Sequence, residues 1–431
     1  MPVLIDIDSH DHHLFSRAPG GSAAAKASPR NGVECLDIGL INNMSDSALI
    51  STERQLFDLL GAAAGRLVVR LHFYTIETTP RSDWGRDYVS RYYRGTDDLL
   101  NKSLDGVIVT GAEPRAASLT EEPYWATFVQ ILDWARENTV SSVYSCLAVH
   151  GAVLHTDGVE RSKLPAKCIG VFAQTKTRDH PLMHDVPATF KTPHARWNEV
   201  QEVALANCGY SVLTRSAEAG ADCFVKQQKK SLFVHFQGHP EYETHSLLGE
   251  YRRDMGRFLR GESEVCPTIP RGYFDTEAEA ILAAFRRKAI SERRPELFAD
   301  FPTDQLAKDL RNVWHTPARH LYRNWLQYMA SQRAGRTRPM AVNGSRLVSR
   351  SDPRWRGRVT VGTVRPGTTK FGLLSTDASQ PPFEPESPAP RHGRDPLAWL
   401  ALTDLPTSTQ DRIPRLSPNH DLMPRDRNNR S

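Results

Sequence analysis

From Cys35 to Phe236 the chain alternates between short apolar runs and longer amphipathic stretches. CLDIGLI (35–41), bounded by Asn42 and Asn43, has the pattern of a buried strand. RLVVRLHFY (66–74), LDGVIVTG (104–111) and SSVYS (141–145) predict three more. Between them, Thr52–Leu60 places Leu56, Leu59 and Leu60 at helical spacing, and Tyr124–Arg136 sets Trp125, Phe128, Ile131, Leu132 and Ala135 on one helical face. CLAVHGAVLH follows SSVYS at once and reads as a helix. Strands and helices alternating at this length predict a mostly parallel sheet covered on both faces. AKCIGVF (166–172), SVLTRS (211–216), DCFVKQ (222–227) and SLFVHFQ (231–237) read as strands that extend it. An amphipathic helix is expected over Ser246–Leu259, and a mostly helical stretch over Thr276–Met329, with Trp314, Trp325 and Tyr328 as docking residues. The chain has no internal repeat.

Composition narrows this picture. Of 431 residues, 39% are apolar and 24% charged, which allows a sizeable core and excludes a mostly disordered or collagen-like chain. No run approaches about 18 apolar residues, so no membrane span is expected. MPVLIDIDSHDHHLF lacks a basic segment followed by an apolar one, so no secretory signal is expected. Six cysteines without CxxC spacing argue against a zinc site and a disulfide scaffold, and fit a reducing cytoplasm. The net charge of +5 invites a nucleic-acid partner, but its location argues otherwise. Residues 334–431 hold 15 Arg and 1 Lys against 9 acidic residues, so the first 333 residues carry −2 and show no basic footprint. The same stretch holds 13 of the 29 prolines, which block helices and sheet ladders. Residues 334–431 therefore read as a disordered tail, 33–333 as the folded domain, and 1–32, ending in GGSAAAKASPRNG, as a flexible extension. His10, Asp11, His12 and His13 could bind a metal, but no matching ligands lie nearby in sequence, and no metal site is expected.

The candidate chemistry centres on Cys146, which follows a strand and opens a helix in VYSCLAVHGA. A sharp turn there lifts the thiol above the sheet's C-terminal edge. Free N–H groups and the helix dipole stabilise a thiolate at that position, and the Leu147 N–H can hold an oxyanion. A buried structural cysteine is the commoner explanation of any single Cys. FVHFQGHPEYE adds the missing parts. A strand ends in His239, Pro240 and Glu241, and a His and a Glu two apart on extended chain point to the same side. His239 can then act as base toward Cys146 while Glu241 fixes its tautomer.

A Cys elbow followed by His-Pro-Glu resembles the class I glutamine amidotransferases, which have a flavodoxin-like α/β fold. The order of IGLINNM (38–44), TERQLFDLL (52–60), LDGVIVTGA (104–112), EPYW (122–125), KCIGVF (167–172), PHARW (193–197), GHPEYE (238–243), EYRRDM (250–255) and NWLQYM (324–329) resembles more closely the homoserine O-acyltransferases of the O-succinyltransferase type. The resemblance implies an acyltransferase domain over 33–333 that uses acyl-CoA as co-substrate and L-homoserine as acceptor, without a bound cofactor. It implies Cys146 as nucleophile, His239 as base and acid, Glu241 as its orienter and Arg253 as the grip on the amino-acid carboxylate. Lys167, His194 and Arg196 match family positions at the substrate pocket. It makes a homodimer plausible and implies methionine biosynthesis as the setting. Two positions depart from the family pattern. Met44-Ser45-Asp46-Ser47 stands where the family often has Met-Pro-Lys-Lys, which leaves that lysine's role unassigned. Arg115 stands where Glu or Gly separates acetyl from succinyl donors. An arginine there can pair with a succinyl carboxylate, which favours succinyl slightly, unless Glu113 cancels its charge. A glutamine amidotransferase with the same triad is the alternative, as is acyl transfer to serine or another hydroxy amino acid.

Overall fold

The computed structural model describes residues 3–7, 11–16 and 34–337. His10 and the expected tail beyond 337 lie outside the described residues. Twelve strands are described: β1 Val3–Ile5, β2 Cys35–Ile41, β3 Val68–Tyr74, β4 Gly106–Val109, β5 Ser141–Ser145, β6 Ser162–Lys176, β7 Thr189–Glu199, β8 Ser211–Val212, β9 Thr214–Ser216, β10 Gly220–Ala221, β11 Cys223–Gln228 and β12 Ser231–Phe236. The helices are α1 Leu49–Ala63, α2 Asp83–Tyr92, α3 Thr96–Asn101, α4 Trp125–Asn138, α5 Leu147–Asp157, α6 Glu202–Asn207, α7 Ser246–Leu259, α8 Thr276–Glu292, α9 Thr303–Ala307 and α10 His315–Thr337.

The main sheet runs β1-β3-β2-β4-β5-β12-β11-β8. Its first six strands pair in parallel, while β11 lies antiparallel to both of its neighbours. Successive residues along a strand feed opposite faces, as the pleat requires. Leu36, Ile38 and Leu40 of β2, Ile108 of β4 and Val143 of β5 join one core with α1 and α10. Val107, Val109 and Tyr144 join the other with α4 and α5. A third core packs α7, α8 and Trp314 against Ile169 and Val171 of β6. No helix among the described residues is long and apolar enough to cross a membrane.

Two differences from the sequence reading have physical causes. AKCIGVF and the second half of SVLTRS do not extend the main sheet: β6 and β9 belong to a separate antiparallel sheet, β10-β9-β6-β7. An antiparallel return needs no crossover helix, and β7 folds straight back onto β6, pairing Ile169 with Ala195 and Gly170 with His194. Within the expected flexible extension, Val3–Ile5 forms a strand beside β3, with Val3 and Ile5 only 2% exposed. Three residues are too few for alternation to register in sequence, but they bury the same face as the rest of the sheet.

Gly106 lies where Trp325 and Met329 of α10 pack against the sheet. A Cβ there would lie 2.6 Å from the Ser141 carbonyl oxygen and 2.7 Å from the Met329 sulfur. Gly106→Ala is expected to destabilise the protein by roughly 1–3 kcal/mol, as overpacking does. Scanning calorimetry should show a melting point lower by several degrees; an unchanged one would contradict this packing.

Candidate active site

The parallel pairing of β5 with β12 ends with Ser145 opposite Phe236, so the residues after both strands emerge side by side at the C-terminal edge. Cys146 comes next after β5 and caps α5. Its φ of 52° is a conformation that residues other than glycine seldom adopt, and its N–H is tied to the Phe236 carbonyl at 2.9 Å. Leu147 opens α5, so its N–H has no carbonyl in the preceding turn to bond. Gly111 sits against that N–H: a Cβ on it would lie 3.1 Å from the Leu147 nitrogen. The absent side chain leaves that approach open.

Across the gap, His239 hydrogen-bonds to Cys146 and, through Nδ1, to Glu241 Oε1 at 2.8 Å. Burial pushes the His239 imidazole toward its neutral form. Glu241 and Cys146 outweigh that and hold its pKa well above the usual histidine value. Glu241 Oε1 also accepts from Ser145 Oγ at 3.4 Å, and Oε2 is buried without a partner. The Tyr242 ring stacks on His239 at 4.1 Å between centroids. Its hydroxyl donates to Glu250 at 2.6 Å. The structure thus brings the sequence-predicted Cys146, His239 and Glu241 together, with Leu147 next to Cys146 at the start of α5.

The predicted substrate residues divide. Glu250, Arg253 and Asp254 share one face of α7, as three- and four-residue spacing dictates. Lys167 Nζ bonds Glu250 at 3.0 Å and Asp254 at 2.6 Å. Burial opposes charge on Glu250, but Lys167 and Arg253 hold its carboxyl far below the usual range. Arg253 uses Nε and Nη2 on Glu250 and Asp254, while Nη1 has no hydrogen bond among the described residues. Arg115 lies exposed on a loop pinned by Glu122, whose Oε1 accepts from the Arg115 and Ala116 N–H groups at 2.7 and 2.9 Å. Glu113 pairs instead with Arg257 at 2.7 Å, so its charge is not spent on Arg115. Arg81, from the segment between β3 and α2, reaches the loop where the family lysine is missing, donating to the Asn42 and Met44 carbonyls and to Asp46.

His194 and Arg196 lie behind the triad, 0% and 3% exposed. Arg196 donates to the carbonyls of Asn198 and Ala219, and its Nε points at His194 Nδ1 at 3.4 Å. The His194 proton therefore belongs on Nε2, the side facing Gln174 at 3.2 Å and Asp222 at 3.6 Å. Burial, then Arg196 and His239, keep His194 well below the usual histidine pKa. Asp222, which sequence reasoning missed, is 2% exposed, and burial pushes its carboxyl up to about 6. Relative to an ordinary aspartate this destabilises the fold on the order of 3 kcal/mol above that pH and not at all below about pH 4. A polar residue between two short strands gives no sign in sequence that it reaches His239.

His12, His13 and Glu53 form the described set whose atoms could hold a metal. Here they bond one another: Glu53 Oε2 lies 3.0 Å from His12 Nε2 and 2.7 Å from His13 Nε2, with Tyr88 and Tyr93 hydroxyls completing the carboxylate.

Residues 2–336 match the sequence pattern of a family described as homoserine O-succinyltransferase. The homoserine O-succinyltransferase of Rhodopseudomonas palustris is 46% identical over 324 residues, covering 75% of this chain and 94% of that protein. That of Bradyrhizobium japonicum is 47% identical over 331 residues, covering 77% and 99%. Among solved structures, a glutamine amidotransferase from Methylobacillus flagellatus aligns at 13% identity with a TM-score of 0.40, covering 69% of this chain and 96% of that one. One from Thermotoga maritima aligns at 13% and 0.38, covering 68% and 97%.

Proposed function

The chain belongs to the homoserine O-succinyltransferase family and is an acyltransferase; on that premise we propose that it moves a succinyl group from succinyl-CoA to the hydroxyl of L-homoserine through a thioester on Cys146. The observation that carries this reading is the His239 ring itself, which bonds Cys146 on one side and Glu241 at 2.8 Å on the other. The Cys146 thiolate attacks the donor's thioester carbonyl, and the oxyanion forms against the Leu147 N–H. Collapse breaks the bond to CoA, whose sulfur takes the proton from the His239 imidazolium. The homoserine hydroxyl then gives its proton to neutral His239 and attacks the acyl-enzyme. Collapse releases O-succinylhomoserine, an activated precursor for methionine, and restores the thiolate.

Arg253 grips the homoserine carboxylate with its unused Nη1, its other edge held by Glu250 and Asp254. Lys167 sets that face of α7. Exposed Arg115 meets the free carboxylate of the succinyl group, a role favoured by the pairing of Glu113 with Arg257. His194 and Arg196 belong to the wall behind the pocket. The cytoplasm, where succinyl-CoA and homoserine are available, is the compartment this chemistry fits.

A donor-by-acceptor matrix tests the reading, with acetyl-CoA, succinyl-CoA and glutamine set against homoserine, serine and water. Succinyl-CoA with homoserine should lead, and acetyl-CoA should fall at least ~10-fold in kcat/KM, the effect of losing one charge-assisted contact. Preference for acetyl-CoA, or glutamine hydrolysis outpacing both, would overturn it.

A further inference from the structure

The segment that delivers His239 is held by three consecutive backbone amides. Gln237 N–H donates to the Asp222 carbonyl at 3.0 Å, Gly238 N–H to Asp222 Oδ1 at 2.9 Å, and His239 N–H to the Pro193 carbonyl at 2.8 Å. Two of the three acceptors belong to Asp222, and only the middle one is a side chain. There is no slack around it. A Cβ on Gly238 would lie 2.8 Å from Asp222 Oδ1, 2.9 Å from His194 Nε2 and 2.9 Å from the Pro193 oxygen. Asp222 is itself fixed: its N–H donates to the Thr214 carbonyl at 3.0 Å, and Thr192 hydrogen-bonds its carboxylate. The charged and titratable groups around it are His194 and Arg196 from β7, His239 from the loop, and the neighbouring Cys168 and Cys223.

We propose that Asp222 is a positioning residue for the acyl transfer, its carboxylate fixing the Gly238 N–H so that the His239 imidazole faces Cys146. Asp222 touches no substrate; it acts through one peptide unit. Burial of this carboxylate carries a desolvation cost, which the bond it accepts from the Gly238 N–H partly offsets. The neutral His194 beside it adds no positive charge next to His239. The inference rests on the triad reading above, and its test separates the two.

Asp222→Asn keeps an oxygen in the same place; Asp222→Ala removes it. Three readouts are taken on the full chain: melting temperature, kcat and KM with succinyl-CoA and homoserine, and the rate of iodoacetamide alkylation located at Cys146 by peptide mass spectrometry. Asp222→Ala is expected to lower kcat at least tenfold with KM for homoserine within threefold. Its Cys146 alkylation should fall about tenfold, because the imidazole no longer faces the sulfur. Asp222→Asn should stay within threefold of wild type in all three kinetic readouts. If Asp222→Ala does not fold, Asp222→Ser, too short to reach the Gly238 N–H, takes its place. A folded Ala or Ser variant with wild-type kcat and alkylation overturns the proposal, as does an Asn variant impaired as much as Ala. Loss of the triad reading looks different: Cys146→Ala would then retain turnover, whatever the Asp222 variants do.

Discussion

Cys146→Ala should lower acyl transfer by roughly 10⁴-fold or more, since removing a nucleophile leaves only binding and the oxyanion site. The expectation follows from where the sulfur sits. The residue is held in a left-handed turn, its N–H locked to β12 and the N-terminus of α5 directly behind it. Five other free cysteines occur among the described residues. Cys223 is buried, and burial pushes its thiol well above the usual range; it does the same, less strongly, to Cys35, Cys168 and Cys266. None of these lies beside His239 as Cys146 does, so none can substitute. Rapid mixing with radiolabelled succinyl-CoA, followed by acid quench, should find one covalent acyl group per chain in wild type and none in the variant. Label retained on Cys146→Ala would place the nucleophile elsewhere.

Glu241→Gln should cost about 10²–10⁴ in kcat, the range seen when a buried carboxylate behind a catalytic histidine is neutralised without loss of shape. Glu241 acts on His239 in two ways. Its charge, with that of Cys146, overcomes the burial that would otherwise strip the imidazole of its proton, and its 2.8 Å bond to Nδ1 keeps Nε2 as the nitrogen that faces the thiol. With glutamine, burial is less opposed, so the ring loses its proton at lower pH. The amide can also present its NH₂ to Nδ1 and select the wrong tautomer. Steady-state kinetics across pH 6–9 should show the loss at every pH, and a loss confined to the alkaline side, where only the variant's ring has shed its proton, would mean that orientation contributes nothing.

What the sequence made readable follows from the range of the forces involved. Strand and helix periods are local, so CLDIGLI, SSVYS and Ser246–Leu259 coincide with β2, β5 and α7. Cys146 was visible because it directly follows β5; His239 and Glu241 were visible as a motif, but they lie beyond the end of β12, in a bend and turn rather than on the extended chain their spacing suggested. The loop between them was not visible. The hold of Lys167 on the Glu250 carboxylate and the place of Asp222 under Gly238 are contacts between separate segments of the chain, and the stacking of Tyr242 on His239 depends on the turn between them. No period or motif announces them. The separate β6–β7 sheet escaped for a related reason. An apolar strand looks the same whichever sheet receives it, and the choice depends on the return path of the chain.

The N-terminal arm carries a practical consequence. β1 covers the outer side of β3, and the His12 and His13 rings lie against the Glu53 carboxylate, which is 0% exposed. A shortened protein that began at Cys35 would leave β3 with a row of unsatisfied amides at its border and the Glu53 carboxylate with only the Tyr88 and Tyr93 hydroxyls of its present partners. Bare strand borders of that kind recruit other chains, so trimming the arm to tidy an expression clone would invite filaments or inclusion bodies rather than a smaller enzyme.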